Sequence, residues 1–201
     1  MSGALAYKED DSDYEIINGQ VYMMSRPTIE HSQIKSNIYT AFRTYLKGKR
    51  CRPFDDGDVF LDENTNVVPD VMIICNPDII KSRGVFGTPD LIVEIASPST
   101  ERYDRFEKFL TYEKYEVKEY WIVHPNSKSV DVYILRNGKL ELDNVYTMIP
   151  DYEFKNLSEK KKALLKFEIK VSLYDDFYVK LEDIFEYVDW FNIERSDAGD
   201  I

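Results

Sequence analysis

The sequence predicts a single α/β domain: a mixed central sheet flanked by helices, with an added β-meander after the core. Residues 70–75 and 91–96 are apolar on both faces, which is typical of central strands covered from both sides. A third such run, residues 119–123, follows a stretch of helical spacing. Hydrophobic residues make up 43% of the 201 and aromatic residues 14%, enough for the core of one domain.

In chain order, residues 1–13 are small and acidic and read as a frayed start. Two β-type runs flank Asn18-Gly19, the strongest short hairpin signal. Pro27 suits the opening of a helix, where its missing N–H is not needed. Ile34, Ile38, Ala41, Phe42 and Tyr45 then recur at helical spacing to about Lys47. Strands are expected at residues 58–61 and 67–68, leading into 70–75. Pro77, Gly84 and Gly87 mark residues 76–89 as a loop.

After the strand at 91–96, Ser97 to Thr100 form a turn. Thr100 is the candidate N-cap of a helix to about Glu116, and Glu101 favours its positive end. Phe106, Phe109, Leu110 and Glu113 fall roughly on one side. Residues 130–135 alternate and turn at Asn137-Gly138, giving the meander. A strand at 167–173 and a closing helix at 181–190 complete a domain spanning 14–190. Residues 191–201 are a loose acidic tail.

Lys and Arg number 26 against 37 Asp and Glu, so the net charge is −11 and the pI about 4.7. That weighs against a basic surface that grips phosphates without specificity. The two cysteines, Cys51 and Cys75, form no close pair in sequence, offer no zinc framework and read as small packed residues in a reducing interior. The first residues carry no basic start or apolar run, and no apolar stretch is long enough to span a bilayer, so the expectation is a cytoplasmic protein. No glycine-rich phosphate loop and no nucleophile elbow around Ser97 or Ser99 occur, which disfavours an NTPase and a serine hydrolase. His31 and His124 are too few and too far apart for a zinc site.

Two acids stand out. Asp70 opens an apolar strand directly after Pro69, so its carboxylate sits at the strand end. Glu94 lies inside a strand, after Leu91, Ile92 and Val93 and before Ile95 and Ala96. An ionised Glu there is costly without a partner. A shared cation compensates both acids if the two strands are neighbours. Mg²⁺ or Mn²⁺ suits two carboxylates plus a phosphate, polarises phosphoryl oxygens and acidifies a bound water. Lysine is the compact positive charge such chemistry also needs.

Pro69-Asp70 followed by Glu94 at the end of an apolar run resembles the PD-(D/E)xK nuclease signature. The usual lysine would stand two positions after the acid, where this chain has Ala96. Ser97-Pro98-Ser99-Thr100, Asp104-Arg105, Lys108, Tyr112 and Glu119-Tyr120-Trp121 together resemble the Uma-type restriction endonuclease family, from about residue 14 to 185. That resemblance implies a restriction-endonuclease-like fold and a metal-dependent endonuclease acting on DNA. It places the lysine on the following helix, at Lys108, and adds the Ile95 backbone carbonyl as a metal ligand beside Asp70 and Glu94. It also matches an acid and histidine at the first helix to Glu30-His31, which makes Glu30 a candidate accessory ligand.

The structural alternatives are simple. Asp70 can be a turn residue, Glu94 a core acid paired with a base, and Lys108 an i,i+4 partner of Asp104. Asp104 and Tyr112, one turn either side of Lys108, are candidates to orient it. Asp90 reads as the start of its strand. Lys160-Lys161-Lys162 is normally a solvated face, though it is the most obvious local phosphate contact. The expected enzyme is a homodimer whose two sites cut paired strands. The rival functions are a catalytically inactive nuclease-fold module for protein interaction or dimerisation, and a metal-free two-carboxylate glycosidase.

Overall fold

The computed structural model describes residues 14–24, 26–96 and 104–188. The expectations for residues 1–13, for the turn from Ser97 to Thr100 and for residues 191–201 lie outside those residues.

The chain opens with the hairpin β1 (Tyr14–Ile17) and β2 (Gln20–Met23). Asn18 and Gly19 both take positive φ, 50° and 80°, as the tight turn between right-twisted strands requires. Helix α1 (Ile29–Leu46) follows, and the Thr28 hydroxyl caps it by accepting from His31 N–H at 3.1 Å. Pro27 therefore precedes the helix and does not open it. Strands β3 (Arg52–Asp55), β4 (Val59–Asp62), β5 (Thr65–Val67) and β6 (Val71–Ile74) come next. A 3₁₀ turn leads to β7 (Ile80–Lys81), β8 (Gly84–Phe86) and β9 (Leu91–Ile95). Helix α2 (Asp104–Lys114) precedes β10 (Glu119–His124), β11 (Ser129–Arg136) and β12 (Lys139–Thr147). The last described part holds α3 (Asp151–Asn156), α4 (Glu159–Lys162), β13 (Glu168–Lys170), β14 (Tyr178–Lys180) and α5 (Leu181–Ile184).

Two six-stranded mixed sheets form, where the sequence pointed to one central sheet. The inner sheet runs β12-β11-β10-β9-β6-β3 and the outer one β2-β1-β5-β4-β8-β7. In the inner sheet β9 and β10 are parallel, while β6 and β9 are antiparallel. Strand alternation sends Val71, Val93, Trp121 and Val123 to one side, against Ile34, Ile38 and Phe42 of α1 and Leu181 and Ile184 of α5. Met72, Ile92, Tyr120 and Ile122 go to the other side, against Ile17, Val59, Val67 and Val85 of the outer sheet and Tyr112 of α2. The inner sheet is thus covered on both faces, which is why β6, β9 and β10 are apolar throughout.

Three local expectations need correction. The expected loop at 76–89 contains β7 and β8. It is pulled into the outer sheet where Gly84, φ 142°, comes so close that a Cβ would stand 2.6 Å from the Asp58 carbonyl oxygen. The register that opposes Arg52 to Ile74 brings Cys51 to Cys75, and the two form a disulfide instead of packing as separate thiols. With that bond, the cysteines no longer argue for a reducing compartment. On α2, Thr111 and Tyr112 are buried and Lys108 points inward, whereas Phe106 is 62% and Leu110 41% exposed. Of the expected apolar side only Phe109 packs against the core, beside the inward-facing Lys108 and Tyr112. No described helix is long and apolar enough to cross a membrane.

Candidate active site

The β6–β9 register pairs Val71 with Val93, so the next step along the two strands sets Asp70 opposite Glu94. By strand alternation both side chains then project on the α2 side of the inner sheet. Directly opposed residues have Cβ atoms about 5 Å apart, where like charges destabilise a sheet. Something must offset them.

Lys108, from α2, supplies part of that offset. Its Nζ donates to Glu94 Oε1 at 3.0 Å and Oε2 at 3.1 Å, and lies 2.9 Å from Glu15 Oε1. The Tyr112 hydroxyl, one turn further on, donates to Glu94 Oε1 at 2.6 Å. Tyr112 thus bonds Glu94, and among the described residues no hydrogen bond joins it to Lys108. Asp70 Oδ2 accepts from Ile95 N–H at 2.7 Å and lies 3.2 Å from His31 Nε2. Glu15 Oε1 also accepts from Val68 N–H at 2.8 Å, which ties β1 to the segment leading into Asp70.

Asp70, Glu94, Lys108 and Tyr112 thus come together. Asp104 opens α2, but its side chain lies outside the described residues. Glu30 sits half-buried in the first turn of α1, and no bond from it to the site is found among the described residues. Its neighbour His31 reaches Asp70 instead. Asp90 stands at the other end of β9, where it accepts from Cys75 N–H at 2.7 Å and pairs with Lys118 at 2.6 Å. His124 pairs with Asp131 at 3.0 Å.

Sequence reasoning missed Glu15, and it named His31 only beside Glu30 in the family match, with no contact to Asp70. Alternation in β1 puts Glu15 on the face of buried Ile17, a signal that was available but weak over four residues. Nothing local distinguished His31. Its contact depends on where α1 crosses the inner sheet.

Three carboxylates, Glu15, Asp70 and Glu94, face one ammonium in a site whose side chains are at most 15% exposed. Burial pushes the Glu94 carboxyl up to about 7; Lys108 pulls it back, and Asp70 and Glu15 push it further. Burial also opposes the Lys108 charge, but Glu94 and Glu15 more than offset this and hold it above the usual lysine range. Burial and the same two acids raise the Tyr112 phenol, so it stays a donor.

A stability prediction follows. The folded protein keeps a proton on Glu94 that the unfolded chain loses near 4.5, so metal-free stability should fall as pH rises from about 4.5 to 7. Above that the slope ends, with ionised Glu94 costing about 3 kcal/mol. Urea titrations across this range read the effect, and Glu94→Gln should flatten it.

The donor set fits a hard divalent cation. Among the described residues, Asp70 Oδ1 carries no bond and Glu94 Oε2 carries only that from Lys108, so both retain lone pairs. Two positive charges would balance the formal excess of negative charge, and oxygen donors are what Mg²⁺ prefers. Among the described residues no group of three His, Cys, Asp or Glu side chains is placed to hold a metal ion by itself. Water and substrate oxygens would complete the shell.

The Uma2 family profile, "Putative restriction endonuclease", matches residues 3–172. The chain belongs to this family. An uncharacterized protein of Synechocystis sp. is 30% identical over 162 residues, covering 79% of this chain and 82% of that protein. A crystal structure from Anabaena variabilis, described as "a putative nuclease belonging to DUF820", aligns with a TM-score of 0.67 over 87% of this chain and 90% of its own. At 20% identity that likeness speaks for the fold alone, and the Uma2 member here has a nuclease-like one.

Proposed function

We propose that this Uma2 protein is a divalent-cation-dependent endonuclease that hydrolyses phosphodiester bonds in DNA. The carrying observation is the meeting of Asp70 and Glu94, from adjacent strands, with the buried ammonium of Lys108. Families of this restriction-endonuclease kind generally use a divalent metal. Mg²⁺ or Mn²⁺ would be held by Asp70, Glu94 and the Ile95 carbonyl, and when bound would polarise a phosphate oxygen and acidify a water.

The chain's own groups do the rest. Ile95 N–H and His31 fix the Asp70 carboxylate through Oδ2, and among the described residues Oδ1 accepts no bond. Tyr112 holds Glu94 in one rotamer. Lys108 places a point charge where negative charge grows as the phosphate is attacked. The backbone contacts of the DNA would fall on local basic side chains such as exposed Lys160 and Lys161, since the overall charge is −11. We read the working enzyme as a cytoplasmic homodimer, one site per strand.

Mn²⁺ at about a hundred times its dissociation constant should stabilise the protein by about 2.7 kcal/mol. The gain should be larger at pH 8 than at pH 5.5, because Glu94 must lose its proton to bind. Melting curves with and without Mn²⁺ test this, and a chelator should abolish cleavage. The inactive interaction module is the second reading, favoured by Lys108 already closing on Glu94 and by the acidic surface. No Mn²⁺ shift in the wild type would select it. Chelator-insensitive turnover would select a glycosidase.

A further inference from the structure

Lys108 has more acceptors than its assigned role uses. If Glu94 and Asp70 hold a cation, the ammonium beside Glu94 must be kept close to that cation yet not on its ligand. Glu15 is placed to do this. Its carboxylate is 7% exposed, its Oε1 lies 2.9 Å from Lys108 Nζ, and it comes from the outer sheet, not from the strands that carry the two acids. The same oxygen accepts from Val68 N–H, so the carboxylate is fixed by backbone and cannot follow the lysine. Val68 lies two residues before Asp70, so one oxygen sets the lysine and the entry to the Asp70 strand against each other.

We propose that Glu15 is the positioning residue of Lys108. It shares the ammonium with Glu94 and draws it toward the outer-sheet side, so that Lys108 competes less for Glu94 when a cation binds. This rests on the endonuclease reading above. Without Glu15, Lys108 has Glu94 as its remaining carboxylate partner and competes with the cation for it. A merely structural Glu15 would leave that competition unchanged.

The test is a double-mutant cycle read by Mn²⁺ calorimetry on the full chain, with Glu15→Gln, Lys108→Met and the double variant. Glutamine keeps an oxygen for Val68 N–H and removes the charge. Glu15→Gln should weaken Mn²⁺ binding about tenfold in the wild-type background, the lower end for an outer partner of a metal ligand. In the Lys108→Met background it should change binding less than about threefold, where 1.4 kcal/mol corresponds to tenfold. Cleavage by Glu15→Gln should lose kcat at unchanged KM for DNA.

Equal weakening in both backgrounds would overturn the proposal, since Glu15 would then act on the cation directly. No weakening in either would also overturn it, while Mn²⁺ binding lost in Glu94→Gln would leave the endonuclease reading standing. Absence of Mn²⁺ binding in the wild type would sink both. Should Glu15→Gln not fold, Glu15→Asp keeps the charge but withdraws it by one methylene. Reduced kcat at unchanged KM in that variant supports the proposal, and full kcat overturns it.

Discussion

Replacing Glu94 with glutamine is expected to lower metal-dependent cleavage at least a thousandfold while making the metal-free protein no less stable at pH 8. The two effects have one origin. Glu94 is a buried acid whose ionised form is opposed by burial and by Asp70 and Glu15. Its retention inside an apolar strand is a cost to the fold, about 3 kcal/mol above neutral pH. Glutamine has nearly the same shape and keeps an oxygen for the Tyr112 hydroxyl, so it mimics the protonated acid. Stability should therefore hold or rise by up to that amount. Activity should not survive, because a neutral amide neither holds a hard cation nor balances its charge, and several kcal/mol of transition-state stabilisation go with it. Paired urea titrations and cleavage assays read both results. Cleavage at the wild-type rate would remove Glu94 from the chemistry.

Lys108→Met is expected to behave in the opposite way toward stability. It leaves Glu15, Asp70 and Glu94 with no ammonium among them. Breaking a buried pair by removing one partner costs about 3–5 kcal/mol. The loss should be greatest at pH 8 and smaller at pH 5.5, where Glu94 carries a proton. Mn²⁺ should bind more tightly than to the wild type and restore much of the stability, because it meets no competing charge. Cleavage should stay at least a hundredfold down even when Mn²⁺ has restored the fold. A variant that regains full cleavage along with its stability would make Lys108 a structural counter-ion only.

Much of this arrangement was written locally in the chain. The runs at 70–75, 91–96 and 119–123 announced buried strands, and they occupy the middle of the inner sheet. Glu94 stood out because nothing in its own run could neutralise it. Helix-borne Lys108 needed the family resemblance, since a mid-helix lysine is usually solvated. What stayed hidden depended on contacts distant in sequence. No strand was expected at residues 52–55, yet they form β3, and Pro53 is tolerated because β3 is an edge strand bonded to β6 alone. Its position also decides the disulfide, as Cys51 meets Cys75 only once that register exists.

The orientation of α2 follows its hydrophobic spacing only in part. Of the side expected from spacing, Phe109 packs against the core, but Phe106 and Leu110 are exposed. The helix is instead rolled so that Lys108 and Tyr112 reach Glu94. Two strong polar contacts to a buried carboxylate outweigh the burial of two apolar side chains, worth about 1.5–3 kcal/mol each if complete. Local propensity is partly overridden at the candidate site, and functional sites are where such conflicts are expected. Glu15 escaped notice for a related reason: its partner lies 93 positions away on another layer.

The most direct measurement is the anomalous diffraction of a crystal soaked in Mn²⁺ at pH 8. The account expects one peak between the carboxylates of Asp70 and Glu94, with the Lys108 ammonium still beside Glu15. A map with no peak there, and Lys108 still bonded to both oxygens of Glu94, would contradict it.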